Sequence, residues 1–137
     1  MDREKTFVML KPDCIKRGLI GVVISRIEMK GWRIVEAKTR VLEPAFLYVF
    51  YEHIKDQPYF LEVFNYMLSG TVLGMVVEGE HAVDGMRKLI GSTIFEEAQP
   101  GTIRGDFAIS SANSLIHASK TSENVKNETK IFFDPQK

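Results

Sequence analysis

Leu115-Ile116-His117-Ala118-Ser119 delivers an imidazole between an apolar pair and a hydroxyl. A lone histidine reads first as a core or surface residue, so its neighbours must decide. Upstream, Pro100-Gly101-Thr102-Ile103-Arg104-Gly105-Asp106-Phe107 reads as a turn carrying a fixed positive charge. Lys11 leaves the end of an apolar run, and Arg87 precedes the turn. Thr93 and Tyr51 add hydroxyls. Guanidinium forks match phosphate oxygens, and a histidine beside them is a candidate nucleophile toward an anionic group. Glu128 lies beside the stripe Val125, Thr129 and Phe132. A carboxylate on an inward face needs a partner, and His117 is a natural one; the other reading is a glutamate on the helix edge reaching solvent. Tyr59-Phe60 follows Pro58, where one ring could stack on a base and Phe60 reads as core packing.

Other chemistries find less support. His53, His81 and His117 lack metal-site spacing, and the single Cys14 implies neither a zinc site nor a disulfide framework. Cys14 reads as inert despite Lys16 and Arg17 beside it. There is no Walker-type glycine loop, dinucleotide fingerprint or nucleophile elbow. The 18 basic and 18 acidic residues cancel, so net charge implies no nucleic-acid or membrane partner. Lys16 and Lys88 read as solvated surface charges. No apolar run approaches the ~20 residues that span a bilayer. Met1-Asp2-Arg3-Glu4-Lys5 is too charged for a signal segment. A cytoplasmic protein is the expectation.

These residues need a scaffold. At 137 residues the chain reads as one domain, 1–137, with 45% hydrophobic residues for its core. Thr6–Leu10 predicts a buried strand, ended by Lys11-Pro12-Asp13. Leu19–Lys30 follows the helical period, and Trp32–Leu42 alternates as a long strand. Pro44 opens a helix with Phe46, Leu47, Phe50 and Tyr51, and a second runs over about Tyr59–Leu68. Thr71–Val77 predicts a strand and His81–Ile90 a helix. Gly91–Asp106 lacks periodicity, and loops of that length are usually functional. A short strand at Leu115-Ile116-His117 precedes a last helix, capped by Thr121 or Ser122 and ending near Phe133. The order predicts an α+β ferredoxin-like βαββαβ sandwich. Its four-stranded, mostly antiparallel sheet is covered by helices, with the two βαβ units placing theirs on one face.

Taken together, Thr6-Phe7-Val8-Met9-Leu10-Lys11-Pro12-Asp13, Arg17-Gly18-Leu19-Ile20-Gly21, Ser69-Gly70, Pro100 to Phe107 and Ile116-His117-Ala118-Ser119 resemble the nucleoside diphosphate kinase family. The likeness runs in order from about Lys5 to Phe133. It implies a ping-pong phosphotransferase: a nucleoside triphosphate, typically ATP, gives its γ-phosphate to His117, and a nucleoside diphosphate takes it. It implies that Lys11, Tyr51, Arg87, Thr93 and Arg104 hold phosphates and sugar, that Tyr59 stacks on the base beside Val63, and that Ser119 and Glu128 support His117. Mg²⁺ is implied to arrive on the nucleotide, with no metal site of the protein's own. A homo-oligomer is implied, a hexamer first and a tetramer or dimer next.

Three departures stand out. Ser114 occupies the position where the family usually has an asparagine that contacts the sugar, and its shorter hydroxyl predicts weaker binding or turnover. Lys120 and His53 stand where acidic residues are common. The loop Ser92 to Gln99 lacks the proline often found there. A weakly active nucleotide-binding or regulatory relative is therefore the alternative expectation.

Overall fold

The computed structural model describes residues 3–111 and 113–133. Met1-Asp2 and the chain end at Lys137 lie outside the described residues, so the 1–137 span is described only between them. Four strands form one sheet in the order β2-β3-β1-β4, and every neighbouring pair is antiparallel. They are β1 (Glu4–Leu10), β2 (Arg33–Val41), β3 (Thr71–Gly79) and β4 (Ile116–Ala118).

β1 is central because its run Phe7-Val8-Met9-Leu10 is apolar on both faces, and all four residues are buried. A continuous apolar strand signals a sheet covered on both sides. On one face, α2 (Ile20–Met29) and α5 (Ala82–Ile90) pack Val23, Ile27, Met86 and Ile90 against Val8, Leu10, Met75 and Val77. On the other, α3 (Pro44–Phe50), α4 (Phe60–Met67) and α7 (Ser122–Phe133) pack Phe46, Leu47, Met67 and Phe132 against Phe7, Met9 and Val72. The two βαβ units thus place their helices on one face, as expected, and a further layer covers the other face. The βαβ units supply one layer, and the α3–α4 hairpin with α7 supplies the second.

Local chemistry accounts for the other differences. Pro12 does not merely end β1; it opens α1 (Pro12–Lys16) at a first-turn position, where its missing N–H is no loss. β2 forms as a strand, but its alternation marks no buried face. Ile34 pairs with Val77 and Glu36 with Val76, so Val35 is an extra residue, and Val35 and Val41 are exposed. The stretch after Gly91 is more regular than expected. It holds a 3-10 turn at Phe95–Glu97 and a helix, α6 (Ile103–Phe107). Thr102 caps α6 by accepting from the Gly105 amide at 2.9 Å. Thr121 caps α7, its hydroxyl accepting from the Asn124 amide at 3.1 Å.

Candidate active site

His117 is the middle residue of β4 and pairs with Met9 of β1. Alternation turns Ile116 and Ala118 into the α2–α5 side of the core, so His117 faces α3 and α7. Its ring packs against Phe50, with centroids 5.1 Å apart, and against Phe7 at 6.2 Å. Phe50 in turn packs on Tyr51. From the second turn of α7, on its inward side, Glu128 reaches back to the ring. His117 Nε2 lies 2.8 Å from Glu128 Oε1, and Ser119 Oγ donates to the same oxygen at 2.6 Å. The solvent-edge reading of Glu128 is thus set aside.

This contact fixes the tautomer. An ionised carboxylate only accepts, so Nε2 carries the proton and Nδ1 keeps a lone pair. Burial lowers the His117 pKa below the ordinary histidine value. The Glu128 hydrogen bond and charge oppose that shift, while Lys11 and Arg104 add to it. Burial also works against an ionised Glu128, but the His117 and Ser119 hydrogen bonds and neighbouring positive charge outweigh it and hold the carboxyl low. The pair therefore rests as neutral imidazole and carboxylate near neutral pH.

The segment leading into β4 is strained. The predicted strand began at Leu115, yet Leu115 has φ 74° and is buried. The Ile116 amide donates to Ser114 O at 2.8 Å, closing a three-residue γ-turn around it. A non-glycine residue there costs about 1–3 kcal/mol and persists only where its surroundings enforce it. Arg104 enforces it. Only 4% exposed, it donates from Nε to Ser114 O at 3.3 Å, from Nη2 to Ile116 O at 2.6 Å and from Nη1 to Gly91 O at 3.1 Å. The Lys11 amide donates to Leu115 O at 2.8 Å. Arg87 Nη1 donates to Ala118 O at 3.2 Å, so the two arginines bind the carbonyls on either side of His117. The sequence carried no sign of this turn, since leucine is among the last residues expected at positive φ.

Lys11 Nζ donates to Ser114 Oγ at 3.0 Å. Burial and the Arg104 charge bring its pKa down to about 8, with Asp13 partly opposing them. Burial and repulsion from Arg87 bring Arg104 down to about 10, leaving it charged at neutral pH. Tyr51 is buried, and burial together with the Glu128 charge raises its phenol pKa. The structure thus joins His117, Glu128 and Ser119 directly, and Lys11, Ser114, Arg104 and Arg87 around them. Tyr59 (48% exposed) and the exposed Thr93 make no side-chain hydrogen bond to this cluster among the described residues, and Val63 is half-buried. Phe60 packs on Tyr48 and Phe64, as expected of a core ring. A cavity of about 890 Å³ between α3 and α7 opens on His117 and Glu128, and His53, Lys120 and Asn124 are among its walls. Both charge departures therefore sit at the histidine's door. Cys14 is buried, and burial pushes its thiol up to about 11, the inert state expected.

A statistical model of the family described as Nucleoside diphosphate kinase matches residues 4–137. The nucleoside diphosphate kinase of Ignicoccus hospitalis is 49% identical over 130 residues, covering 95% of this chain and 88% of that one. The Methanocaldococcus jannaschii enzyme is 47% identical, covering 96% and 94%. Among solved structures, the Halobacterium salinarum nucleoside diphosphate kinase in complex with CDP superposes with a TM-score of 0.93 at 38% identity, covering 97% of this chain and 89% of that one. The Encephalitozoon cuniculi enzyme superposes with a TM-score of 0.91 at 40% identity, covering 97% of both.

Proposed function

The chain belongs to the nucleoside diphosphate kinase family and acts as a nucleoside diphosphate kinase, and on that premise we propose that His117 carries the phosphoryl group between nucleotides. The observation that carries this reading is the contact between His117 Nε2 and Glu128 Oε1, which leaves the Nδ1 lone pair available. In the first half-reaction Nδ1 attacks the γ-phosphorus of a nucleoside triphosphate, typically ATP. The N–P bond forms, the bond to the β–γ bridging oxygen breaks, and the nucleoside diphosphate departs. In the second, a terminal phosphate oxygen of the acceptor diphosphate attacks the same phosphorus and the N–P bond breaks. Each half-reaction asks for in-line placement and positive charge more than for proton chemistry.

Glu128 and Ser119 hold the ring and favour positive charge on it as phosphorus bonds. Lys11, Arg87 and Arg104 supply the fixed charge, and Lys11, with Ser114, Tyr51 and Thr93, binds phosphate and sugar. Tyr59 offers an exposed ring to the base beside Val63, and stacking on a π-face tolerates any base. The CDP held by the Halobacterium relative supports a nucleoside diphosphate as ligand. Mg²⁺ enters on the nucleotide. No group of three or more His, Cys, Asp or Glu among the described residues could hold a metal, whereas Mg²⁺ is commonly bound through substrate phosphates. Bound there, it neutralises phosphate charge.

We also read the enzyme as a cytoplasmic homo-oligomer, a hexamer first. The unpaired, buried Cys14 suits a reducing compartment. No described helix is long and apolar enough to cross a membrane. β2 is an exposed sheet edge carrying Val35 and Val41, and such edges ask for cover. The test of the central reading is incubation with γ-labelled ATP. Acid-labile label on the protein, discharged by added nucleoside diphosphate and absent from His117→Gln, is expected. Equal labelling of that variant refutes it.

A further inference from the structure

We propose that Asp13 and Tyr66 form a latch that sets the α3–α4 hairpin over the nucleotide, so that both are positioning residues for nucleotide binding. The proposal rests on the reading of the cleft given above. Asp13 lies two residues after Lys11, in the first turn of α1, and Tyr66 lies in the last turn of α4. The Tyr66 hydroxyl accepts from the Asp13 amide at 3.1 Å and donates to Asp13 Oδ1. One phenol thus engages the backbone and the side chain of a single residue.

The energetics favour a positioning role over simple packing. Asp13 is half-buried, and its second carboxylate oxygen is buried without a hydrogen-bond partner. Burial raises its pKa, with the Lys11 charge opposing. A partly satisfied buried carboxylate stabilises less than an apolar pair of similar volume would. What it adds is direction: two hydrogen bonds fix where the end of α4 stands relative to the strand end that bears Lys11.

That end governs the base-binding end. Below the latch, Met67 is fully buried and Tyr66 O accepts from Ser69 Oγ at 2.5 Å. At the other end, Tyr59 and Leu61 are exposed. Tyr59 lies seven residues before Tyr66, roughly 10 Å along the helix axis. A rotation of about 10° about the latch would move Tyr59 by about 2 Å, enough to lose its stacking position, since displacements near 1 Å already matter.

The test is CDP affinity by calorimetry at pH 6.5, where Lys11 stays charged, with thermal melting alongside. Tyr66→Phe keeps the ring and removes the hydroxyl. About a tenfold rise in Kd is expected, with Tm within a few degrees of the parent. Asp13→Ala should match it, the double variant should be no weaker than either single one, and Asp13→Asn, which keeps an oxygen acceptor, should restore the parent Kd. A Kd within twofold of the parent in both Tyr66→Phe and Asp13→Ala overturns the proposal. So does a lowered Tm with unchanged Kd, the mark of a merely structural contact. Asp13→Ala against Asp13→Asn decides the matter even if Tyr66→Phe fails to fold. Because Kd is read without phosphoryl transfer, absence of label on His117 would overturn the nucleophile assignment while this comparison still judges the latch.

Discussion

His117 works as a residue only because its two nitrogens are made unequal. Glu128 takes one, and burial keeps the ring neutral, so the proposed nucleophile stays unprotonated to pH values below the ordinary histidine range. Lys11 sets the opposite limit. Its pKa is lowered to about 8, so above that pH it loses the charge proposed to bind phosphate. Nucleotide affinity is expected to hold from about pH 6.5 to about 8 and to fall above it, with the bend lost in Lys11→Arg. Titrating Kd against pH checks the sign: an affinity that rose above pH 8 would contradict it. Ser114 is the other tuned position. Its hydroxyl already accepts from Lys11, and it is shorter than the amide it replaces, so less of it is left to reach the sugar in the proposed complex. Ser114→Asn is expected to raise kcat/KM severalfold, and equal constants would refute the argument. The pairing of His117 with Glu128 was legible in the sequence, because a carboxylate on an inward helix face needs a partner. The contact between Lys11 and Ser114 was not, since side chains 103 residues apart meet only through the fold.

Among the elements, the long periodic ones were readable and the short ones were not. β1, β3, α2 and α5 declare themselves by runs and periods over seven to ten residues. α1 and α6 have five residues each, too few for a period, and only Pro12 and the Thr102 cap betray them. Yet α6 carries Arg104, which clamps the γ-turn ahead of His117. α6 is itself held at its far side, where Arg26 of α2 pairs with Asp106 at 2.8 Å. Its tightest point is Gly105, where an added Cβ would lie 1.9 Å from Gln99 O. Backbone cannot yield as a flexible side chain can. Gly105→Ala is therefore expected to destabilise the protein by about 2 kcal/mol or more and to reduce His117 labelling by displacing Arg104. A melting curve and labelling rate matching the parent would show that the α6 turn is more pliant than this geometry allows.

The whole molecule places its chemistry at the margin of a sheet covered on both faces. β4 is the short edge strand beside β1, whose Thr6–Leu10 run is buried, so His117 borrows the rigidity of the core while standing at its rim. The alternation of βαβ units was legible, but the second helical layer was not, because two helices inserted between β2 and β3 carry no signal of which face they will cover. At the other margin, the exposed β2 edge leaves self-association as the natural cover. Sedimentation is expected to give six times the 15.6 kDa chain mass, and a monomer at micromolar concentration would contradict that. Whether Nδ1 of His117 carries the phosphoryl is read directly by ³¹P NMR of the ATP-treated protein with ¹⁵N-labelled histidine. Coupling of phosphorus to Nδ1 of His117, lost on adding a nucleoside diphosphate, is the result predicted. Coupling to Nε2, or phosphorus on any other residue, would contradict it.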